Sequence, residues 1–149
     1  MNDTETVPRA RKILVVDDDQ VILKTLTMAL SPHGYDVFVA TDGPGAISVV
    51  TRKRPDLIIL DINFPPDLAN VGGALRDGFY IFEWLRHMGE GGDIPVIIIS
   101  IDDSEKSRRR AMEAGAVAFF PKPIDHYALL TAIRARLSGN AAGETPGPA

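Results

Sequence analysis

The segment ILVVDDD at residues 13–19 sets the fold, because a short apolar run ends in three consecutive acids. Four apolar residues bounded by charged ones are typical of a buried strand. Similar runs recur at 57–60, 96–99 and 117–120, with a weaker one at 36–40. The central runs are apolar at every position rather than at alternate ones. They therefore predict parallel strands that are covered on both faces.

Segments with helical spacing separate the predicted strands. They lie around 23–30, 46–54, 79–85, 104–114 and 130–137. Ser104 is a suitable N-cap for the fourth of them, and Gly115 is a suitable C-terminal stop. Five strand–helix units joined by right-handed crossovers predict an α/β fold. The expected architecture is a doubly wound (βα)5 three-layer sandwich around a five-stranded parallel sheet, as in flavodoxin-like proteins.

Length and composition exclude several classes of function. The chain has 149 residues, a net charge of −4 and no cysteine. One ordinary domain is expected, without disulfides, thiolate metal sites or cysteine nucleophiles. The mild acidity gives no electrostatic basis for direct nucleic-acid binding, and the apolar runs are too short to cross a membrane. The polar N-terminus lacks the apolar segment of a signal peptide, which predicts a cytoplasmic protein.

Both ends of the chain are predicted to lie outside the folded domain. Residues 1–11 are typical of a disordered arm, and residues 139–149, rich in Gly, Pro and Ala, of a flexible tail. A single domain at 12–138 remains. The composition of the tail also suits a linker, so a longer parent protein stays an open alternative.

Polar side chains follow four of the predicted strands. Asp17 and Asp18 follow the first strand, Asp61 the third, Ser100 the fourth and Lys122 the fifth. In an open parallel sheet the ligand site lies at the carboxyl ends of the strands, so these side chains are expected to converge. Each alone is weak evidence, since acids after strands often cap the next helix. Their conjunction indicates a functional site.

The predicted site has the chemistry of phosphoryl transfer. Three carboxylates in one partly buried pocket repel each other, and a hard cation relieves that repulsion. Mg²⁺ or Mn²⁺ suits a site of carboxylates, waters and phosphate oxygens. Lys122 would pair with Asp61 or with a phosphoryl oxygen, and Ser100 would donate a hydrogen bond to that oxygen. Asp61 would be the nucleophile and form an acyl phosphate.

Several segments carry a resemblance to a known family. They are ILVVDDD at 13–19, LIILDINFP at 57–65, VIIIS at 96–100, AGA at 114–116 and FPKP at 120–123. Together, over residues 12–137, the chain resembles the receiver domain of two-component response regulators, in the stand-alone form of the chemotaxis regulators. The resemblance implies that Asp61 is the phosphoacceptor and that a histidine kinase or a phosphotransfer protein is the donor.

The resemblance also implies a set of metal ligands. Asp18 and Asp61 would bind Mg²⁺ directly, and Asp17 would reach it through water. The backbone carbonyl of Asn63 would supply a further ligand. Asp19 lies outside the acid pair of the family and is interpreted as a helix N-cap or a solvated acid.

Switching residues are implied in the same way. Ser100 would be the switch hydroxyl that moves toward the phosphoryl group, and Lys122 would contact that group. The peptide bond before Pro123 is expected to be cis. Phe119 stands at the position of the aromatic switch residue, with a static core residue as the alternative.

Two further positions of the family tune loss of the phosphoryl group. They correspond here to Asn63 and Asp102, two small polar residues that would let water approach, which predicts a short-lived phosphoryl group. Asp102 could instead cap the following helix.

The sequence departs from the family after Pro65. Residues 66–76 lengthen the loop before Asp77, either as a tolerated insertion or as a flap that gates the pocket or contacts the kinase. Asp67 within this loop could approach the metal. Three consecutive arginines at 108–110 are interpreted as a solvated helix face. The alternative is a homodimer contact through the fourth helix, fifth strand and fifth helix.

The leading hypothesis is a stand-alone signalling receiver rather than an enzyme. Such a receiver catalyses only its own phosphotransfer and dephosphorylation. Its output would then come from binding a partner. An aspartate-based phosphatase is one alternative, because Asp17 and Asp19 have the spacing of its two acids. A receiver-like protein that is never phosphorylated is the other.

Overall fold

The core of the protein is a sheet of five parallel strands. The computed structural model describes residues 9–63, 78–87 and 92–141. The strands are β1 (Lys12–Val16), β2 (Asp36–Ala40), β3 (Leu57–Asp61), β4 (Val96–Ser100) and β5 (Ala118–Pro121). Their order is β2-β1-β3-β4-β5, and every neighbouring pair is parallel. The predicted sheet is confirmed, and its order reverses between β1 and β3, the point where doubly wound sheets bind ligands.

Helices connect the strands in the order that the sequence predicted. In the described part of the chain they are α1 (Gln20–Leu30), α2 (Gly43–Lys53), α3 (Gly78–Arg86), α4 (Glu105–Ala114) and α5 (His126–Ala141), with a 3-10 turn at Ser31–His33. The α2 helix begins three residues before its predicted start, because the Asp42 carboxylate accepts a hydrogen bond from the Gly45 N–H at 2.8 Å and caps the helix there. Among these helices, none has the length and apolar composition that a membrane crossing needs.

The α4 helix has the caps that its sequence predicted. Ser104 accepts a hydrogen bond from the Ser107 N–H at 3.1 Å. Gly115 adopts a φ of 111°, in the left-handed region that favours glycine. A Cβ at Gly115 would overlap Arg86 Nη1. Both ends of α4, which positions the segment after β4, are therefore fixed by local contacts.

Two hydrophobic clusters cover the two faces of the sheet. On one face, Leu14, Ile58 and Ile98 pack with buried residues of α2, α3 and α4. On the other, Ile13, Ile59 and Ile97 pack with α1 and α5, through Leu23, Leu26, Leu30, Leu129, Ile133 and Leu137. Successive apolar residues of β1, β3 and β4 enter opposite clusters, which explains why each of these strands contains four consecutive apolar residues. The three-layer sandwich is confirmed.

Some predictions fall on residues that lie outside the described part of the chain. They include the long loop at 66–76 with Asp67, most of the N-terminal arm at 1–11 and most of the tail at 139–149. The α5 helix continues to Ala141, so the first three residues of the predicted tail are helical.

Candidate functional site

Three acids converge at the carboxyl ends of β1 and β3. Val16 is paired with Leu60 in the parallel register, so the residues that follow them lie at the same edge of the sheet. Carboxylate oxygens of Asp17, Asp18 and Asp61 all lie within 4.8 Å of one another. Asp17 and Asp61 are buried, with 0% and 1% of their surfaces exposed. The acid cluster predicted from the sequence is present.

Lys122 supplies the positive charge of this cluster. It directly follows β5, and its Nζ lies 2.9 Å from Asp17 Oδ2 and 3.4 Å from Asp61 Oδ2. The sequence predicted that Lys122 would pair with Asp61 or with a phosphoryl oxygen; the contact with Asp61 is present, and the contact with Asp17 is shorter. Burial lowers the pKa of Lys122, but the attraction of the two carboxylates outweighs it and raises that pKa above its ordinary value. The Lys122-Pro123 peptide bond is cis, as expected.

The pKa values of two carboxyl groups in the cluster, those of Asp61 and Asp18, are raised. Burial, followed by the charge of Asp17, raises the pKa of Asp61 from 3.8 to about 6. A hydrogen bond from the Asn63 N–H at 2.9 Å and the charge of Lys122 oppose this rise without cancelling it. Burial also raises the pKa of Asp18. An unrelieved excess of buried negative charge is the state that a bound cation stabilises.

Ser100 lies at the end of β4, beside the acid cluster, and is fully buried. Its hydroxyl donates a hydrogen bond to Asn63 Oδ1 at 2.7 Å and accepts one from the Asp102 N–H at 2.9 Å. Asn63 Oδ1 also accepts the N–H of Ile101 at 2.8 Å. Sequence reasoning missed this role of the Asn63 side chain, because nothing in the local pattern indicates which way an amide after a strand points.

Asp19 and Asp102 lie at helix N-termini. Asp19 Oδ1 accepts a hydrogen bond from the Val21 N–H at 2.9 Å and caps α1, which confirms the N-cap interpretation. Asp102 Oδ1 accepts one from the Ser104 N–H at 3.0 Å, just before α4. Hydrogen bonding to Ser104 lowers the pKa of Asp102. The N-cap of α4 is Ser104, so Asp102 orders the turn before the cap and is not itself the cap. The role of Asp102 in loss of the phosphoryl group stays a prediction.

Phe119 is buried in β5, with 9% of its surface exposed. The guanidinium of Arg108 lies over its ring, 4.9 Å from the centroid. Asp103 fixes this guanidinium through an ion pair at 2.6 Å. Arg109, the next arginine, pairs with Glu105 at 3.4 Å within the same helix. The inward orientation of Phe119 is the one that the structure contains, and a swing to an exposed orientation stays a prediction.

Comparison with protein families gives one clear match. A family model described as the response regulator receiver domain matches residues 13–134. Among curated proteins, the chain is 36% identical over 126 residues to the response regulator MprA of Mycobacterium leprae, an alignment that covers 85% of this chain and 50% of the relative. MprA of Mycobacterium sp. (strain KMS) is 34% identical over 135 residues, covering 91% of this chain and 54% of the relative. The chain thus spans about half the length of these curated relatives.

Solved structures give the same match at full domain length. A response regulator from Desulfuromonas acetoxidans aligns with a TM-score of 0.74 and 26% identity, over 86% of this chain and 97% of that one. The chemotaxis protein CheY4 of Vibrio cholerae aligns with a TM-score of 0.73 and 26% identity, over 84% and 97% of the two chains. The described elements therefore correspond to nearly the whole of each of these proteins.

Proposed function

This chain belongs to the response regulator receiver domain family of two-component systems, and from that premise we propose that Asp61 accepts a phosphoryl group from a histidine kinase or a phosphotransfer protein. One observation carries the proposal. Asp61 is a buried carboxylate at the carboxyl end of the central strand, between a second buried acid and Lys122. Burial of a charged acid is costly, and a carboxylate kept at such a site is a candidate for chemistry rather than for stability.

The acid cluster fits a divalent cation. Asp17 Oδ2 is buried and has no hydrogen-bond partner of regular geometry within the described residues, and Lys122 Nζ lies 2.9 Å from it. The oxygens of Asp17, Asp18 and Asp61 approach each other closely enough to share an ion. These acids and the backbone carbonyl of Asn63 would hold Mg²⁺ or Mn²⁺. When bound, the cation would neutralise the carboxylates and the charge on the transferred phosphoryl group.

The chain's own residues would position the reaction. An oxygen of Asp61 would form a bond to phosphorus while the bond from phosphorus to the donor breaks, and the donor would leave with the electron pair. Lys122, held at the mouth of the cluster by Asp17, would pair with a phosphoryl oxygen. The Ser100 hydroxyl would donate a hydrogen bond to another. Asn63 and Asp102 flank this region, and the predicted result is a phosphoryl group that is lost quickly.

Phosphorylation would bias an equilibrium between two conformations of the protein. The Ser100 hydroxyl and the ring of Phe119 would be the moving parts, and the surface of α4, β5 and α5 would bind the partner or a second copy. Because the alignments cover only about half of each curated relative, the output of the whole protein is likewise proposed and not shown by these relatives. Direct nucleic-acid binding by this domain is not expected, and a cytoplasmic location stays a prediction.

The phosphatase alternative gains no support from the structure. It requires Asp19 as the second acid of the site, and Asp19 caps α1 instead. The other alternative, a receiver that is never phosphorylated, is distinguished from the proposed function by a phosphorylation assay.

Incubation with acetyl phosphate and Mg²⁺, followed by intact-mass measurement, tests the proposal. We expect one added phosphoryl group on the wild type, none on Asp61→Asn, and none on the wild type in EDTA. The variant Glu113→Gln removes one exposed acid and serves as the matched control, which should be phosphorylated like the wild type. A phosphoryl group that persists on Asp61→Asn would refute the assignment of Asp61. A wild type that gains no mass would favour the non-phosphorylated alternative.

A further inference from the structure

One oxygen atom, Asn63 Oδ1, links the segment that follows Asp61 to the segment that contains Ser100. Asn63 Oδ1 accepts hydrogen bonds from the Ser100 hydroxyl at 2.7 Å and from the Ile101 N–H at 2.8 Å. The backbone N–H of the same Asn63 donates to Asp61 Oδ1 at 2.9 Å. We call the set of Asn63 Oδ1, Ser100 Oγ and the Ile101 N–H the Asn63 clasp. It ties the segment after β3 to the segment after β4.

The direction of the bonds in the clasp is fixed by chemistry. The Ile101 N–H is only a donor, so the amide atom that faces it must be the oxygen of Asn63 and not its nitrogen. An amide oxygen is only an acceptor, so the Ser100 hydroxyl must donate its proton to it. The Asp102 N–H donates a hydrogen bond to the oxygen of the same hydroxyl at 2.9 Å. This bond uses a lone pair of Ser100 Oγ, so the hydroxyl proton still points to Asn63. In this conformation the only proton of the Ser100 hydroxyl is committed to Asn63.

We infer that the side chain of Asn63 is a positioning residue that holds Ser100 and the start of the β4–α4 segment in the unphosphorylated arrangement. This inference rests on the proposed function, in which the Ser100 hydroxyl donates to a phosphoryl oxygen on Asp61. A hydroxyl has one proton, so Ser100 must leave Asn63 before it binds the phosphoryl group. On phosphorylation the Ser100 hydroxyl therefore exchanges its acceptor, Asn63 Oδ1, for a phosphoryl oxygen. The Asn63 clasp opposes phosphorylation because its hydrogen bond to Ser100 must first break.

Amide hydrogen exchange at Ile101 tests the clasp in the resting protein. Ile101 is 69% exposed, and its N–H lies beyond the end of β4 and donates to Asn63 Oδ1, so we expect this bond to protect the N–H from exchange. We expect Asn63→Ala to accelerate exchange at Ile101 by about tenfold, the effect of losing one hydrogen bond of ordinary strength. Asn63→Asp keeps an acceptor oxygen at the same position and should retain the protection.

Ser104→Ala is the matched control for a general loosening of this segment. It removes the cap of α4, three residues after Ile101, without touching the Asn63 clasp. Exchange at Ile101 should stay within about twofold of the wild type in this variant. Equal acceleration by Ser104→Ala and Asn63→Ala would show that helix capping protects Ile101 and would overturn the clasp. Exchange at Ile101 in Asn63→Ala that is as slow as in the wild type would also overturn the clasp.

Phosphorylation rates test the coupling between Asn63 and Ser100. With acetyl phosphate and Mg²⁺, initial rates from intact mass should be about fivefold to tenfold higher in Asn63→Ala than in the wild type, because Ser100 no longer has to leave Asn63. In a Ser100→Ala background, Asn63→Ala should change the rate by less than about twofold. An acceleration that persists without the hydroxyl would mean that Asn63 acts on access of the donor, and the positioning role would fall.

The two measurements separate failure of this inference from failure of the proposed function. A wild type that never gains a phosphoryl group refutes the function, and with it the role of the clasp in phosphorylation. A wild type that is phosphorylated, with equal rates in Asn63→Ala and the wild type, leaves the proposed function standing and refutes the inferred role of the clasp in opposing phosphorylation.

Discussion

Replacing Asp61 by Asn should stabilise the metal-free protein at neutral pH, although it removes the proposed phosphoacceptor. In the folded wild type, burial and the charge of Asp17 raise the pKa of Asp61 from 3.8 to about 6. The folded protein thus binds a proton at Asp61 more readily than the unfolded chain does. Its stability is greatest when Asp61 is protonated, decreases as the pH rises from about 4 to about 6, and stays lowered above that range. Asparagine carries no charge and avoids this cost.

The size of the effect follows from the same pKa. At 1.36 kcal/mol per pKa unit, the rise from 3.8 to about 6 corresponds to about 3 kcal/mol in the free energy of unfolding at pH 7.5. This is an upper bound, because Asn also loses the ion pair with Lys122 at 3.4 Å. We therefore expect a gain of about 1 to 3 kcal/mol at pH 7.5, which is about 2 to 10 °C in the melting temperature for a domain of this size.

Urea unfolding in EDTA, followed by circular dichroism, measures this gain at pH 7.5 and at pH 4.5. The gain should shrink at pH 4.5, where Asp61 of the folded wild type is mostly protonated. Glu113→Gln controls for the loss of one negative charge at an exposed position and should change stability by less than about 0.5 kcal/mol at either pH.

Two results would refute this reasoning. Equal stability of Asp61→Asn and the wild type at pH 7.5 would mean that burial of Asp61 is not costly. A gain of the same size at both pH values would mean that it does not arise from ionisation of Asp61.

Three further predictions concern the residues around the site. Lys122→Met removes the counter-charge of two buried carboxylates, so it should lower the free energy of unfolding by about 1 to 3 kcal/mol in EDTA at pH 7.5 and slow phosphorylation by acetyl phosphate. A Lys122→Met variant as stable as the wild type would contradict the ion pairs. Gly115→Ala should destabilise by more than about 1 kcal/mol in urea, because φ is 111° and the new Cβ would meet Arg86. Ser104→Ala should cost about 1 kcal/mol, the value of the lost cap on Ser107, and an unchanged unfolding midpoint would exclude that cap.

The fold was predictable because its signals are local. The strands β1, β3 and β4 each contain four consecutive apolar residues, a pattern typical of strands that are covered on both faces. Element ends were less predictable, since α2 starts at a cap on Asp42 that the apolar pattern does not mark. The acid cluster was predictable as well, because parallel strands bring their carboxyl ends to one edge of the sheet.

The sequence by itself determined which residues reach the site: Asp17, Asp18, Asp61, Ser100 and Lys122, each fixed by its place at the end of a strand. Only the tertiary structure decided how they pair. Lys122 lies closer to Asp17 than to Asp61, and Asn63 binds Ser100 across 37 positions of the chain. The physical reason is the range of the forces. The apolar pattern of a strand depends on which side chains of that one segment are buried on each face. A side-chain contact such as Asn63–Ser100 requires two distant segments to meet within about 3 Å.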